Sequence, residues 1–163
     1  MTRRGACLLA LGFCALGAQL VTVDRINPAA SSGSPFAAPE QIETLLTRAC
    51  YDCHSNRTRW PWYSRVAPVS WLVARDVALG RKELNFSEWG SYYPQTQMRK
   101  LQWMGRMLRE RSMPPWSYRL MHPAARLGAE DRAMLERWIE SGVPLMRRTS
   151  PIEPSSRIGY SSE

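Results

Sequence analysis

The sequence predicts an all-α protein: apolar residues recur at helical spacing, Val and Ile are scattered singly without strand-like alternation, and Leu, Ala, Met, Arg and Glu dominate. A chain of 163 residues has room for one domain built on a single core.

The N-terminus reads as an export segment. Arg3 and Arg4 precede an apolar run from Gly5 to Val23, which Asp24, Arg25 and the turn-forming Asn27-Pro28 pair bring to a close. The run is longer than a cleaved signal core and close to the roughly 20 residues that span a bilayer. A small-x-small site, Ala15-Leu16-Gly17, lies inside the run instead of after it, which favours a retained anchor over a cleaved signal. Cys14 suggests lipidation, but Phe13 occupies the position where a small residue is needed. Two arginines before the run and one after it place the N-terminus inside and the domain outside. The expected division is an export signal or membrane anchor over 1–26, a flexible Ala/Ser/Pro/Gly-rich linker over 27–39, the domain over 40–146 and a polar, disordered tail over 147–163.

Within the domain, Ile42, Leu45, Leu46 and Ala49 predict a first helix that closes at Cys50. Trp60-Pro61-Trp62-Tyr63 is a loop, since its proline excludes a helix interior. A second helix follows Pro68, with Ser70 as N-cap, and runs toward Gly80 or a little beyond. A polar turn over 85–90 leads to a third helix from about Thr96 to Arg109, carrying Leu101, Gly105 and Leu108 on one face. Met113-Pro114-Pro115-Trp116 is a rigid extended loop. A last helix starts near Ala129, turns Met134, Leu135, Trp138 and Ile139 inward and stops at Gly142.

The formal charge of +8 suits an acidic protein, anionic lipid or nucleic acid. Arginines interleaved with carboxylates, as over 106–111, read more simply as a solvated helix face, and no nucleic-acid motif is present. A nucleic-acid partner is therefore not expected.

Chemistry concentrates at Cys50-Tyr51-Asp52-Cys53-His54, which fits C-x-x-C-H, the attachment signature of c-type haem. At helical pitch these three ligating residues share a face, so two thiols can meet the haem vinyl groups while the imidazole reaches the iron. A thioredoxin-like pair also uses C-x-x-C, but it expects a strand before it and a parallel sheet around it. A zinc site would need Cys53 and His54, adjacent in the chain, to meet one tetrahedral ion, and a second C-x-x-C is lacking. A Cys50–Cys53 disulfide would leave His54 unexplained. Haem c, one per chain and covalently attached, is the expected cofactor, and export agrees with it.

For the second axial position the candidate is Met113, presented by the loop that two prolines stiffen. The alternative is a methionine that only fills core space. Met98, Met104 and Met107 fall on the third helix and read as core; Met121 and His122 are rivals for the ligand position. Trp60, Trp62, Tyr63 and Trp71, with Trp116, are expected to wall the porphyrin, against the plainer reading of ordinary core. Arg57, Arg59 and Arg65 could pair with the haem propionates, though exposed arginines are commoner.

Taken together, Cys50 to Asn56 (C-x-x-C-H-S-N), Trp60-Pro61-Trp62-Tyr63, Ala67-Pro68-Val69-Ser70-Trp71, Gly80-Arg81, Leu84 to Trp89 and Met113-Pro114-Pro115-Trp116 resemble the bacterial haem-binding domain family of c-type cytochromes. The resemblance implies one covalent haem c, an N-terminal membrane segment and a small, cytochrome c-like helical fold. Some relatives carry His where Arg75 or Asp76 stands here, so an axial histidine from the second helix is missing and Met113 becomes the natural ligand. The expected function is electron transfer on the periplasmic side of the bacterial inner membrane, to a redox partner protein that the sequence does not identify. A haem enzyme or small-ligand sensor with an open sixth position is the alternative, and a thiol or zinc module the third.

Overall fold

The computed structural model of the protein describes residues 2–29 and 36–149, with side chains to Gly142. Its elements are helical: α1 (Arg3–Ala18), α2 (Glu40–Ala49), α3 (Tyr51–His54), α4 (Val69–Glu83), α5 (Pro94–Arg109), α6 (Trp116–Met121) and α7 (Ala129–Thr149). Three 3-10 turns, Trp62–Arg65, Phe86–Ser91 and Pro123–Ala125, join them, and no strand occurs among the described residues.

The core forms where α2, α5 and α7 meet. The apolar face of α2 buries Ile42, Leu45, Leu46 and Ala49, as its spacing dictates. Leu101, Met104, Gly105 and Leu108 of α5 and Leu135 and Ile139 of α7 complete it. Phe36 caps this core, with its ring centroid 4.6 Å from Phe86, 5.0 Å from Trp89 and 5.8 Å from Trp138. The consequence for the site is positional: α2 is fixed along its length, so the chain leaves it at Cys50 in a defined direction.

Several element ends differ from those expected. Pro68, not Ser70, precedes the first residue of α4, and Ser70 is buried within the helix. Helix α7 continues through Gly142 to Thr149. A Cβ at Gly142 would lie 3.8 Å from Leu101 Cδ1, so packing on α5 offsets the low helix propensity of glycine. Residues 147–149 of the expected tail thus belong to α7, and 150–163 lie outside the described residues. Trp116–Met121 is helical where only a loop was expected to lead on from the prolines.

The N-terminal apolar run is divided. Helix α1 ends at Ala18 and no residue of it is buried; Leu8, Phe13 and Leu16 are all largely exposed. Among the described residues no helix is long and apolar enough to cross a membrane. Past α1 the chain turns onto the domain. Gln19 makes two hydrogen bonds to the Ala67 backbone, Trp71 Nε1 donates to Val21 O, and Asn27 Nδ2 donates to Thr58 O. The first residues of the expected linker are therefore docked, while 30–35 lie outside the described residues.

Candidate functional site

The site begins where α2 ends. Cys50 leaves helical geometry with φ −127°, its N–H still donating to Leu46 O at 2.8 Å, and its own carbonyl accepts from Cys53 and His54. That turn, α3, sets Cys50, Cys53 and His54 along the wall of one cavity of about 600 Å³. The volume falls within the range typical of cofactor pockets.

Asp52, between the cysteines, points away from the cavity and holds the turn. Its carboxylate accepts from Tyr118 Oη at 2.7 Å, from the Arg59 backbone N–H at 3.0 Å and from Arg59 Nε at 3.2 Å. The chain following His54 is equally tied. Asn85 Nδ2 donates to Asn56 Oδ1 at 2.8 Å in a buried contact, and the Asn56 N–H donates to Ser87 Oγ. Asn85 also caps the turn Phe86–Ser91 by accepting from the Ser87 N–H, so the Asn85-Phe86-Ser87 stretch is the seat for Ser55-Asn56. Arg81 closes the loop, donating to Ser55 O, Thr58 Oγ1 and Ile26 O.

His54 is positioned for ligation by α4. Its Nδ1 lies 2.9 Å from Gly80 O and 3.1 Å from Leu84 O, two acceptors that fix the proton on Nδ1 and leave the lone pair on Nε2. Burial lowers its pKa below the usual histidine value, outweighing the two carbonyls, so the ring is neutral at pH 7. Such close approach requires glycine at position 80: a Cβ there would stand 2.5 Å from Cys53 O and 3.0 Å from Cys53 Cβ.

The thiols are free and kept protonated. Burial pushes Cys50 up to about 12, with Cys53 beside it adding to the effect, and Cys53 up to about 11, with Asp52 and Asp76 adding. From an ordinary value of 9.0, these shifts lower the thiolate population at pH 8 roughly a thousandfold and a hundredfold. In haem-free protein, alkylation of both cysteines by iodoacetamide should therefore be slow at pH 8 and still be accelerating above pH 10. Peptide mass spectrometry across pH measures this, and a plateau near pH 9 would contradict it.

The remaining wall comes from α4, α5 and the Met-Pro-Pro loop. Met113 lines the cavity together with Pro114 and Pro115, and so do Met104 and Met107 of α5. Met107 Sδ lies 3.2 Å from Ser112 Oγ. Met121 and His122 stand apart, on a second depression lined also by Asp52 and Arg59. The His122 ring stacks on Tyr118 with centroids 4.1 Å apart.

The aromatic wall expected from the sequence is different in the structure. Trp60, Trp62, Tyr63, Trp71 and Trp116 do not line the cavity; Phe86, Trp103 and Tyr118 do. Nearness in sequence to the cysteines is overridden by the Asp52–Arg59 hydrogen bonds, which turn the chain aside before Trp60. Trp62 is exposed, Tyr63 Oη lies 3.3 Å from His122 Nε2, and Trp71 contacts the segment after α1. Arg57 and Arg59 pair with Glu43 and Asp52, and Arg65 is exposed. The cations on the cavity wall are Arg99 and Lys100, with Asp76 and Glu83 as the acids. Gly80 and Phe86 fall in stretches that carry the family resemblance, and a glycine inside a helical pattern marks position 80 as well; Arg99 and Tyr118 carry no sequence signal.

The donor set fits a haem: an apolar slot of suitable volume, a pair of free thiols and a neutral imidazole with Nε2 uncommitted, all on one cavity. Among the described residues, no group of three or more His, Cys, Asp and Glu is placed to hold a bare metal ion. Comparison with curated proteins and with solved structures found no match. Comparison with protein families matched residues 13–141, most of the chain, to the family described as "Haem-binding domain". The cavity is of a size to receive a haem, and the chain belongs to the haem-binding domain family.

Proposed function

We propose that the protein carries one covalently attached haem c and transfers electrons, with Cys50 and Cys53 as the attachment points, His54 as proximal ligand and Met113 as distal ligand. The observation that carries this reading is the cavity whose wall holds Cys50, Cys53, His54 and Met113 together. Cys50 and Cys53 would each hold the haem through a thioether, the S–H adding across a vinyl group with sulfur on the inner carbon and hydrogen on the outer, so that no oxidant is needed. Haem bound in this way supplies a one-electron couple, whose potential methionine ligation raises. Gly80 and Leu84 carbonyls hold the His54 ring, Asp52 and Arg59 hold the attachment turn, and Pro114-Pro115 stiffen the loop behind Met113. No side chain is asked to transform a substrate.

The working location is the periplasmic face of the inner membrane, with α1 embedded in the bilayer. A 16-residue helix is about 24 Å long, short of a hydrocarbon core of about 30 Å. Snorkelling of Arg3 and Arg4 and local thinning of the bilayer accommodate the difference. The net charge of +8 favours an acidic redox partner through contacts that weaken with salt.

Met113→Ala tests the ligand set. Holoprotein made with haem-attachment machinery should be low-spin, and the variant high-spin and open to carbon monoxide when reduced. An unchanged variant spectrum would move the ligand to Met107 or Met104, which share the wall. A wild-type protein that is already high-spin would favour an enzyme or sensor.

A further inference from the structure

The aromatic loop that the haem cavity does not use has a place next to α1. Trp62 is 74 % exposed, and Val66, Val69 and Leu72 are exposed as well, four apolar side chains within eleven residues of chain. Scattered singly on a surface such residues would need no explanation. Here they flank the points where the segment after α1 is fastened: Ala67 to Gln19, Trp71 to Val21, and the Ser64 carbonyl to Arg25. Leu20 and Val21 extend the apolar surface from the segment itself. The C-terminal end of α1 is thus attached to this patch, and whatever environment receives the apolar exterior of α1 begins beside it.

We propose that the face formed by Trp62, Val66, Val69 and Leu72 seats the haem-binding domain on the lipid bilayer, so that the domain is held in one orientation instead of swinging on a tether. The proposal rests on the reading of α1 as the membrane anchor. Three features favour lipid over a protein partner. The patch is continuous with a helix that is apolar and exposed on all sides. It contains an exposed tryptophan, a residue that prefers the membrane interface because its ring is amphipathic. Exposed Arg65 borders it, suited to anionic headgroups, while Arg75 is paired with Asp76.

The geometry gives the seating a consequence for the cavity. Val69 and Leu72 stand on the first turn of α4, and the same helix lines the cavity with Asp76, Leu79 and Gly80. Leu72 precedes Leu79 by seven residues, about 10 Å of helix. A domain seated by this face carries its cavity close above the headgroups.

The test is photo-crosslinking of the full-length holoprotein in vesicles of phosphatidylethanolamine and phosphatidylglycerol. A benzophenone amino acid is placed singly at position 13 in α1, at 62 or 72 on the proposed face, or at 140 on α7, which packs on α2 and α5. Lipid adducts at 13, 62 and 72 with none at 140 are the expected result. Adducts at 13 alone, or adducts at 62 and 72 to protein only, would overturn the seating while the anchor stands. Adducts at 62 and 72 without any at 13 would remove the anchor and, with it, the seating that rests on it. Absence of lipid adducts at all four positions would remove both.

Discussion

Gly80→Ala is expected to destabilise the domain by about 1–3 kcal/mol and to lower the yield of haem-loaded protein. The sign is what makes this informative. Alanine in place of glycine inside a helix ordinarily stabilises by about 1 kcal/mol, because it restricts the unfolded chain and favours helical dihedrals. At position 80 the new methyl would meet Cys53 O at 2.5 Å, and that atom belongs to the backbone of the attachment turn, not to a flexible side chain. Either α4 withdraws, and His54 Nδ1 loses its carbonyl partners, or the turn shifts and the thiols leave their positions. Urea denaturation of the haem-free protein reads the sign directly. Stabilisation by the substitution would mean that α4 and the attachment turn are not packed as described.

His54→Ala is expected to abolish the low-spin spectrum, whereas His122→Ala should leave it unchanged. The chain has only two histidines, so the pair of variants is a complete test of imidazole ligation. His54 lines the cavity with its Nδ1 engaged by Gly80 and Leu84 carbonyls, an arrangement that fixes which nitrogen is free. His122 lies on the second depression, stacked on Tyr118. Added imidazole should restore a low-spin spectrum to the His54 variant by entering the space the side chain vacated. A low-spin spectrum retained in His54→Ala without added imidazole would exclude it as the proximal ligand.

Helix positions and the chemical cluster were legible in the sequence because both depend on local spacing. The 3.6-residue period of Ile42, Leu45, Leu46 and Ala49 suffices to predict α2, and C-x-x-C-H brings its three residues together within little more than one turn. What the sequence concealed depends on contacts across the chain. Trp60 and Trp62 stand near His54 in sequence, yet Asp52 draws the Arg59 backbone toward the opposite side of the turn. Tyr118 and Phe86 reach the cavity from elements whose docking no local pattern records. The end of α7 is hidden from the sequence for a similar reason: Gly142 has the propensity of a helix stop, but its contact with Leu101 is tertiary.

Covalent attachment of haem to Cys50 and Cys53 can be read from a pyridine haemochrome spectrum. The protein is produced with haem-attachment machinery, denatured, extracted with acidified acetone and read after reduction. Haem should stay with the polypeptide and show the α-band of two saturated vinyl positions; Cys50→Ser or Cys53→Ser should shift the band to that of one, and the double variant should release haem to the solvent. Haem that extracts freely from the wild-type chain, or a chain that acquires none, would contradict it.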